Sequence, residues 1–352
     1  MLVDQNIRIE KIIVAVWRLG QLGRLGQLIF GFYNNYFGRF FLMRLRLDLA
    51  YDGGDFYGWA RQPNLRTVQG TLEDALYKVL RVHDGDSCFP LRLTVAGRTD
   101  TGVHASYQVC HLDVENDILQ NCVGHTNLTP VKALEYRLRG VLPKDISIHS
   151  VSIAPSGFDA RFSALDRTYV YRISDAANRA NLDPRMRGFV LQIDYDLDVN
   201  SMNQAAAMIV GLHDFGSFAR PNPGGTTIRC VKKAVWNRVC SDGCASVGSS
   251  IVSRSTGNIP PIEHGLIEFT IVADAFAHNM VRSLVQACVQ VGCGKRSVDW
   301  FKDKIENPIR EGSTGPIAAN GLTLEYVEYP PKDQLEDRAN AIRARRTLEE
   351  LD

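Results

Sequence analysis

Leu93-Thr94-Val95-Ala96-Gly97-Arg98-Thr99-Asp100-Thr101-Gly102-Val103-His104-Ala105 runs from alternating apolar residues into a polar knot bracketed by two glycines, then turns extended again. The pattern predicts a strand, a tight loop and a second strand. Arg98 and Asp100 stand two residues apart, so a near-extended backbone projects both to one side. A guanidinium beside a carboxylate holds it ionised at neutral pH, the state required of a nucleophile or base. Taken alone, Thr-Asp-Thr-Gly is equally the chemistry of a surface turn.

Working outward, Leu45, Leu47 and Leu49 alternate with Arg44, Arg46 and Asp48, a half-buried strand ending at the turn Tyr51-Asp52-Gly53-Gly54. Residues 55–66 form an aromatic and basic loop. Thr67 or Thr71 is placed to cap a helix running to about Arg81, with Leu72, Ala75, Leu76 and Val79 on one face. Pro130 opens a helix to about Gly140, and Ile146, Ile148 and Val151 begin a further strand. The second half repeats this grammar. Strands are expected at 170–173, 189–193, 228–239, 266–272 and 322–327, with helices from Asn200 or Ser201 to about Val210 and over about 277–292. Gly211 to Phe215 reads as a helix end and turn, which gives His213 no catalytic reading. The fold class is therefore α+β, in two similar lobes, each a mainly antiparallel sheet with helices on one face.

The chain has 352 residues, enough for two domains, and its 45% hydrophobic and 22% charged composition is that of a globular protein. Forty basic and thirty-nine acidic residues give a net charge of +1, so any polyanion site must be a local patch. The eight cysteines show no Cys-x-x-Cys and no zinc-ligand spacing, so no metal site is expected. Cys110 and Cys288 read as small core residues, which suits a reducing compartment.

Residues 11–47 contain no acidic residue but carry Lys11 and five arginines among Trp, Phe, Leu and Gly. An organellar targeting segment has this composition. A membrane span fits poorly, because Arg18, Arg24 and Arg39 interrupt every apolar run. A native start at Met43, with residues 1–42 outside the fold, is the reading favoured here. The expected organisation is then 1–42 extension, 43–165 catalytic lobe, 166–330 second lobe and 331–352 charged tail. Ser241 to Gly265, rich in Ser, Gly and Pro, is expected to be a surface loop. The tail carries only a thin stripe of Leu335, Ala339 and Ile342, the pattern of a solvated helix.

Two further segments bear on chemistry. Phe158-Asp159-Ala160-Arg161-Phe162 and Arg167-Thr168-Tyr169-Val170-Tyr171 interleave cations with aromatics, and Tyr169 and Tyr171 share a strand face. Such faces suit unstacked nucleobases, although core packing explains either tyrosine equally simply. Arg282 lies in the first turns of its helix, where the dipole disfavours a cation. An anionic partner, either Asp100 or a phosphate, would account for it, as would simple solvation.

Tyr51-Asp52-Gly53 with Phe56-Tyr57-Gly58-Trp59, Thr67-Val68-Gln69-Gly70, Ala96 to Ala105, Phe158 to Ala164, Arg167 to Tyr171, His213-Asp214-Phe215, and Phe276 with His278 to Arg282 together resemble the TruA-type tRNA pseudouridine synthases. The resemblance runs collinearly from about Met43 to Tyr329, departing at Ala60, where the family usually has Gln, and in the longer 241–265 loop. It implies isomerisation of uridine to pseudouridine in the anticodon stem-loop, at about positions 38–40, by a cytoplasmic homodimer. One tRNA would bind in a cleft between the lobes, without cofactor, metal or membrane. It makes Asp100 the nucleophile or base, gives Arg98 the space of the flipped base and the substrate phosphates, and stacks Tyr169 on the uracil. Arg282 becomes the counter-ion of Asp100. A synthase with other RNA targets, and an RNA-binding protein without chemistry, are the alternatives.

Overall fold

In the computed structural model, residues 42–82, 91–220, 226–239, 262–309 and 314–343 are described. Residues 1–41 of the proposed 1–42 extension and most of the 241–265 loop lie outside them; Leu42 is the first residue of a strand. Ten strands form one sheet: β1 (Leu42–Tyr51), β2 (Thr94–Val95), β3 (His104–Glu115), β4 (Ile146–Ile153), β5 (Asp166–Ser174), β6 (Leu191–Gln192), β7 (Gly211–Asp214), β8 (Ile228–Arg238), β9 (Ile267–Ala273) and β10 (Leu322–Glu328). The helices are α1 (Val68–Leu80), α2 (Asn116–Gln120), α3 (Pro130–Val141), α4 (Val199–Ala207), α5 (Met280–Gly292), α6 (Val298–Glu306) and α7 (Leu335–Arg343). The order β4-β1-β3-β10-β5-β9-β8-β7 is largely antiparallel, with β2 on β3 and β6 on β5. The fold is α+β, with a mixed sheet.

The period of two decides which face of β1 is buried. Leu45, Leu47 and Leu49 are fully buried and lie opposite Leu112, Cys110 and Gln108 of β3. Truncating any of these leucines to alanine would cost about 2 to 5 kcal/mol. On the alternate positions, Arg44 grips Asp113 of β3 through two 2.7 Å hydrogen bonds, and the Arg46 guanidinium lies 5.0 Å from the Tyr329 ring centre. The second half buries its own aromatics. Trp236 of β8 stacks on its register partner Phe269 of β9 at 4.6 Å. Tyr171 is fully buried with its hydroxyl donating to the Ala318 carbonyl, so core packing accounts for it.

The two halves are stitched by β10. Thr323 and Leu324 pair in parallel with His104 and Ala105 of β3, while the other edge of the strand runs antiparallel along β5. A strand from late in the chain thus occupies the middle of the sheet.

Several elements differ from their sequence pattern. The strand expected to lead into the loop contracts to Thr94–Val95. Gly211 to Asp214 is a strand rather than a helix end: Gly211 takes φ +118°, and Asp214 pairs with Ile228. Helix α6 was not anticipated, although Ser297 caps it by accepting from the Trp300 N–H and Phe301 is buried beneath it. The tail helix is docked rather than solvated, since Leu335 and Ala339 are buried. Cys110 and Cys288 are core residues, as their patterns suggested.

One buried titratable group sets a pH limit. His111 of β3 is buried, and its Nδ1 accepts from the Ala160 N–H at 3.0 Å. Burial, reinforced by the Arg44 cation, pushes its pKa down to about 4. The unfolded chain protonates near 6.5, so stability is complete above that value and falls as pH drops through the window toward 4. From pH 7 to pH 5 this group alone removes about 2 kcal/mol. His111→Gln keeps an acceptor for Ala160, so its urea midpoint is expected to fall less over this range than that of the parent protein. Parallel declines would show that His111 is not the sensor.

Candidate active site

The loop between β2 and β3 is built by a turn and its braces. The Val103 N–H donates to the Asp100 carbonyl at 3.2 Å, and Gly102 at the third position takes φ +77°, which suits glycine. The aromatic loop 55–66 holds the turn from outside. The Trp59 N–H donates to the Thr99 carbonyl at 3.0 Å and the Gly102 N–H to the Phe56 carbonyl at 3.2 Å. From beneath, the buried Tyr51 hydroxyl bonds the Thr99 hydroxyl at 2.8 Å, and Gln108 Nε2 donates to the Gly97 carbonyl at 2.9 Å. Gly53 is required by close approach, since a Cβ there would meet the Val103 carbonyl oxygen at 2.0 Å. The lead-in is fixed by the buried Glu73 carboxylate, which accepts from the Leu93 N–H at 3.1 Å and from Arg61 Nε at 2.9 Å.

Arg167 of β5 ties this loop to two others. Its guanidinium, buried in the protein, donates to the carbonyls of Ala96 at 2.6 Å, Arg161 at 2.8 Å and Asp274 at 2.5 Å. Burial lowers its pKa, but an arginine stays charged. A single fixed cation therefore gathers the Asp100 loop, the 158–163 turn and the 274–279 loop.

These loops line one cavity of about 1530 Å³, above the range usual for small-molecule pockets. Seven arginines line it, Arg92, Arg98, Arg161, Arg167, Arg229, Arg282 and Arg338, against two aspartates, Asp100 and Asp274. The chain is almost neutral, yet its cavity is strongly cationic. Asp100 and Arg98 both face it, with Arg98 exposed. Tyr169 forms part of its floor, is mostly buried, and packs edge-on against Phe276 with ring centres 5.1 Å apart. Burial raises the Tyr169 pKa, and the Asp100 charge adds to the rise, so its hydroxyl stays protonated at neutral pH.

The expected pairing of Asp100 with Arg282 is not made here. Arg282 Nε donates instead to the Ile317 carbonyl at 2.7 Å. The ionisable group beside the Asp100 carboxylate is His278, with Nε2 at 3.6 Å from Oδ1. Sequence reasoning gave His278 no role. It precedes Asn279, which takes a left-handed φ of +63° before α5, and its own carbonyl is fixed by the Arg220 N–H at 2.9 Å. His213 lies outside the cavity lining and contacts the Val210 carbonyl. Among the described residues, no group of three His, Cys, Asp or Glu is placed to hold a metal ion, and no helix is long and apolar enough to cross a membrane.

Comparison with known proteins adds to this geometry. Residues 205–330 match the family described as tRNA pseudouridine synthase. A protein named tRNA pseudouridine synthase A from Bifidobacterium longum (strain DJO10A) is 61% identical over 307 residues, covering 87% of this chain and 100% of the relative. The protein of that name from Bifidobacterium animalis subsp. lactis (strain AD011) is 60% identical with the same coverage. The one from Streptomyces avermitilis is 42% identical, over 87% of this chain and 95% of its own. At this identity over whole relatives, the chain belongs to the tRNA pseudouridine synthase A family.

Proposed function

We propose that this chain isomerises uridine to pseudouridine in tRNA. The observation that carries the reading is a carboxylate, Asp100, presented on a braced turn inside a cavity lined by seven arginines and floored by a buried tyrosine. A polyanion is drawn to such a cavity by charge, and only its chemistry explains a carboxylate placed among the cations. A protein that merely binds RNA gains nothing from Asp100 there.

In this reading the target nucleotide leaves its stack, and Asp100 acts as nucleophile or base to start the exchange of the N1 glycosidic bond for one to C5. Arg98, exposed at the cavity edge, takes the space left by the flipped base and holds the flanking phosphates. Tyr169 stacks on the uracil, and its protonated hydroxyl is placed to donate. His278 stands beside that carboxylate, its Nε2 3.6 Å from Oδ1. Arg282, turned toward Ile317, is left to meet a phosphate or to swing to the carboxylate when RNA enters. We assign the two halves, 43–165 and 166–330, to two lobes of one catalytic unit with the cavity as the cleft between them. The target is the anticodon stem-loop, at about positions 38–40, and the working form is a cytoplasmic homodimer; both follow from the resemblance.

Asp100→Asn is expected to abolish pseudouridine formation on tRNA transcripts while leaving tRNA affinity within about twofold; an active variant would remove Asp100 from the chemistry. Tyr169→Phe keeps the ring and loses the donor, so kcat should fall by about 10² with KM little changed. A parallel loss in both would point to a structural role instead. Arg167→Gln strips donors from three loop carbonyls and is expected to lower stability by more than about 2 kcal/mol in urea titrations. An unchanged midpoint would show that the loops hold without it. Mapping pseudouridines in tRNA from cells lacking this protein tests the target, which fails if the loss lies outside the anticodon arm.

A further inference from the structure

We infer that helix α7 supplies an RNA phosphate-binding residue, Arg338, to the cavity; the inference rests on the tRNA reading above and extends it to a segment outside the two lobes. The helix is seated rather than trailing. Leu335 and Ala339, one turn apart, are buried, and Ser163 Oγ donates to the Leu335 carbonyl at 3.0 Å. The backbone of Glu336 presses so closely on Gly157 that a Cβ on the glycine would lie 3.1 Å from the Glu336 Cα. With that face committed, the positions three and four residues apart, Arg338, Ala341 and Ile342, are turned to the cavity.

Among the described residues, Arg338 has no neutralising partner. No ion pair joins it to a carboxylate among the described residues, and its Nε is buried without a hydrogen bond. It also presses its charge on the buried Arg167. Two like charges at the wall of a cavity, one of them fully committed to loop carbonyls, leave the other to be satisfied by whatever enters. Its neighbours on the helix face, Ala341 and Ile342, offer no hydrogen-bonding side chain, so no base edge is read there. A guanidinium fork between small apolar residues fits a phosphate of the RNA backbone.

The test is tRNA binding by the full chain between 50 and 200 mM NaCl, for the parent protein, Arg338→Gln, Arg338→Lys and Ala341→Glu. Arg338→Gln is expected to weaken binding about five- to tenfold at 100 mM and to reduce the slope of log affinity against log salt by about 1. Arg338→Lys should restore the slope. Ala341→Glu, at an exposed site one turn on, leaves Arg338 in place but neutralises it and should reproduce the loss without disturbing the seat of the helix. Parent affinity and slope in both Arg338→Gln and Ala341→Glu would overturn the inference, as would weaker binding with an unchanged slope, which marks a structural effect. Failure of the parent protein to bind tRNA would instead bring down the tRNA reading, and the assignment with it.

Discussion

The site depends on one buried cation. Arg167 reaches carbonyls from three loops that are remote in sequence, and none of those loops has regular secondary structure to hold it. A charged group sealed from water must have its donors met, and carbonyls satisfy a guanidinium without neutralising it. The positive charge thus persists under the cavity and contributes to its field. The same bonds that fix the loops also fix the sign of the potential, so shape and electrostatics cannot drift apart.

Around that anchor, the loop geometry is over-determined. Two backbone bonds from the aromatic loop, two side-chain bonds from the sheet and a glycine with positive φ converge on residues 97–103. Preorganisation of this kind fixes the Asp100 carboxylate before anything enters the cavity, rather than at the expense of binding. Tyr169 complements it from a strand, the more rigid of the two supports. The neighbouring side of the cavity, by contrast, hangs on Asn279 in a left-handed conformation, at the start of a helix whose first turn contains no acidic residue.

Much of this was legible in the residues. Alternation of Leu45, Leu47 and Leu49, the cap at Thr67 and Pro130 at a helix start gave β1, α1 and α3 almost to the residue, because local preference and tertiary burial agree there. Asp100, Arg98 and Tyr169, singled out from their sequence context, line one cavity. What escaped depends on tertiary partners. The place of β10 between β3 and β5 leaves no trace in its own sequence. Gly211 to Asp214 has strand form only because β8 is present to pair with it. Arg282 reads as a counter-ion from its place on the helix, but a carbonyl at 317 competes for it. The charge-mixed tail looked solvated because burial of only two small stripes, at Leu335 and Ala339, is enough to seat a helix against a turn.

The central position of β10 has a consequence for synthesis. Until residues 322–328 leave the ribosome, β3 and β5 each present an unpaired edge, and the sheet exists as two separate pieces. Each piece buries apolar residues of its own, Leu47 and Leu112 in one and Trp236 and Phe269 in the other, and can begin to fold as it emerges. The cavity, drawing on both, has no form until the strand slots between them. A nascent chain therefore carries no assembled pocket, and the Asp100 carboxylate meets its cationic surroundings only once residues 322–328 have joined the sheet.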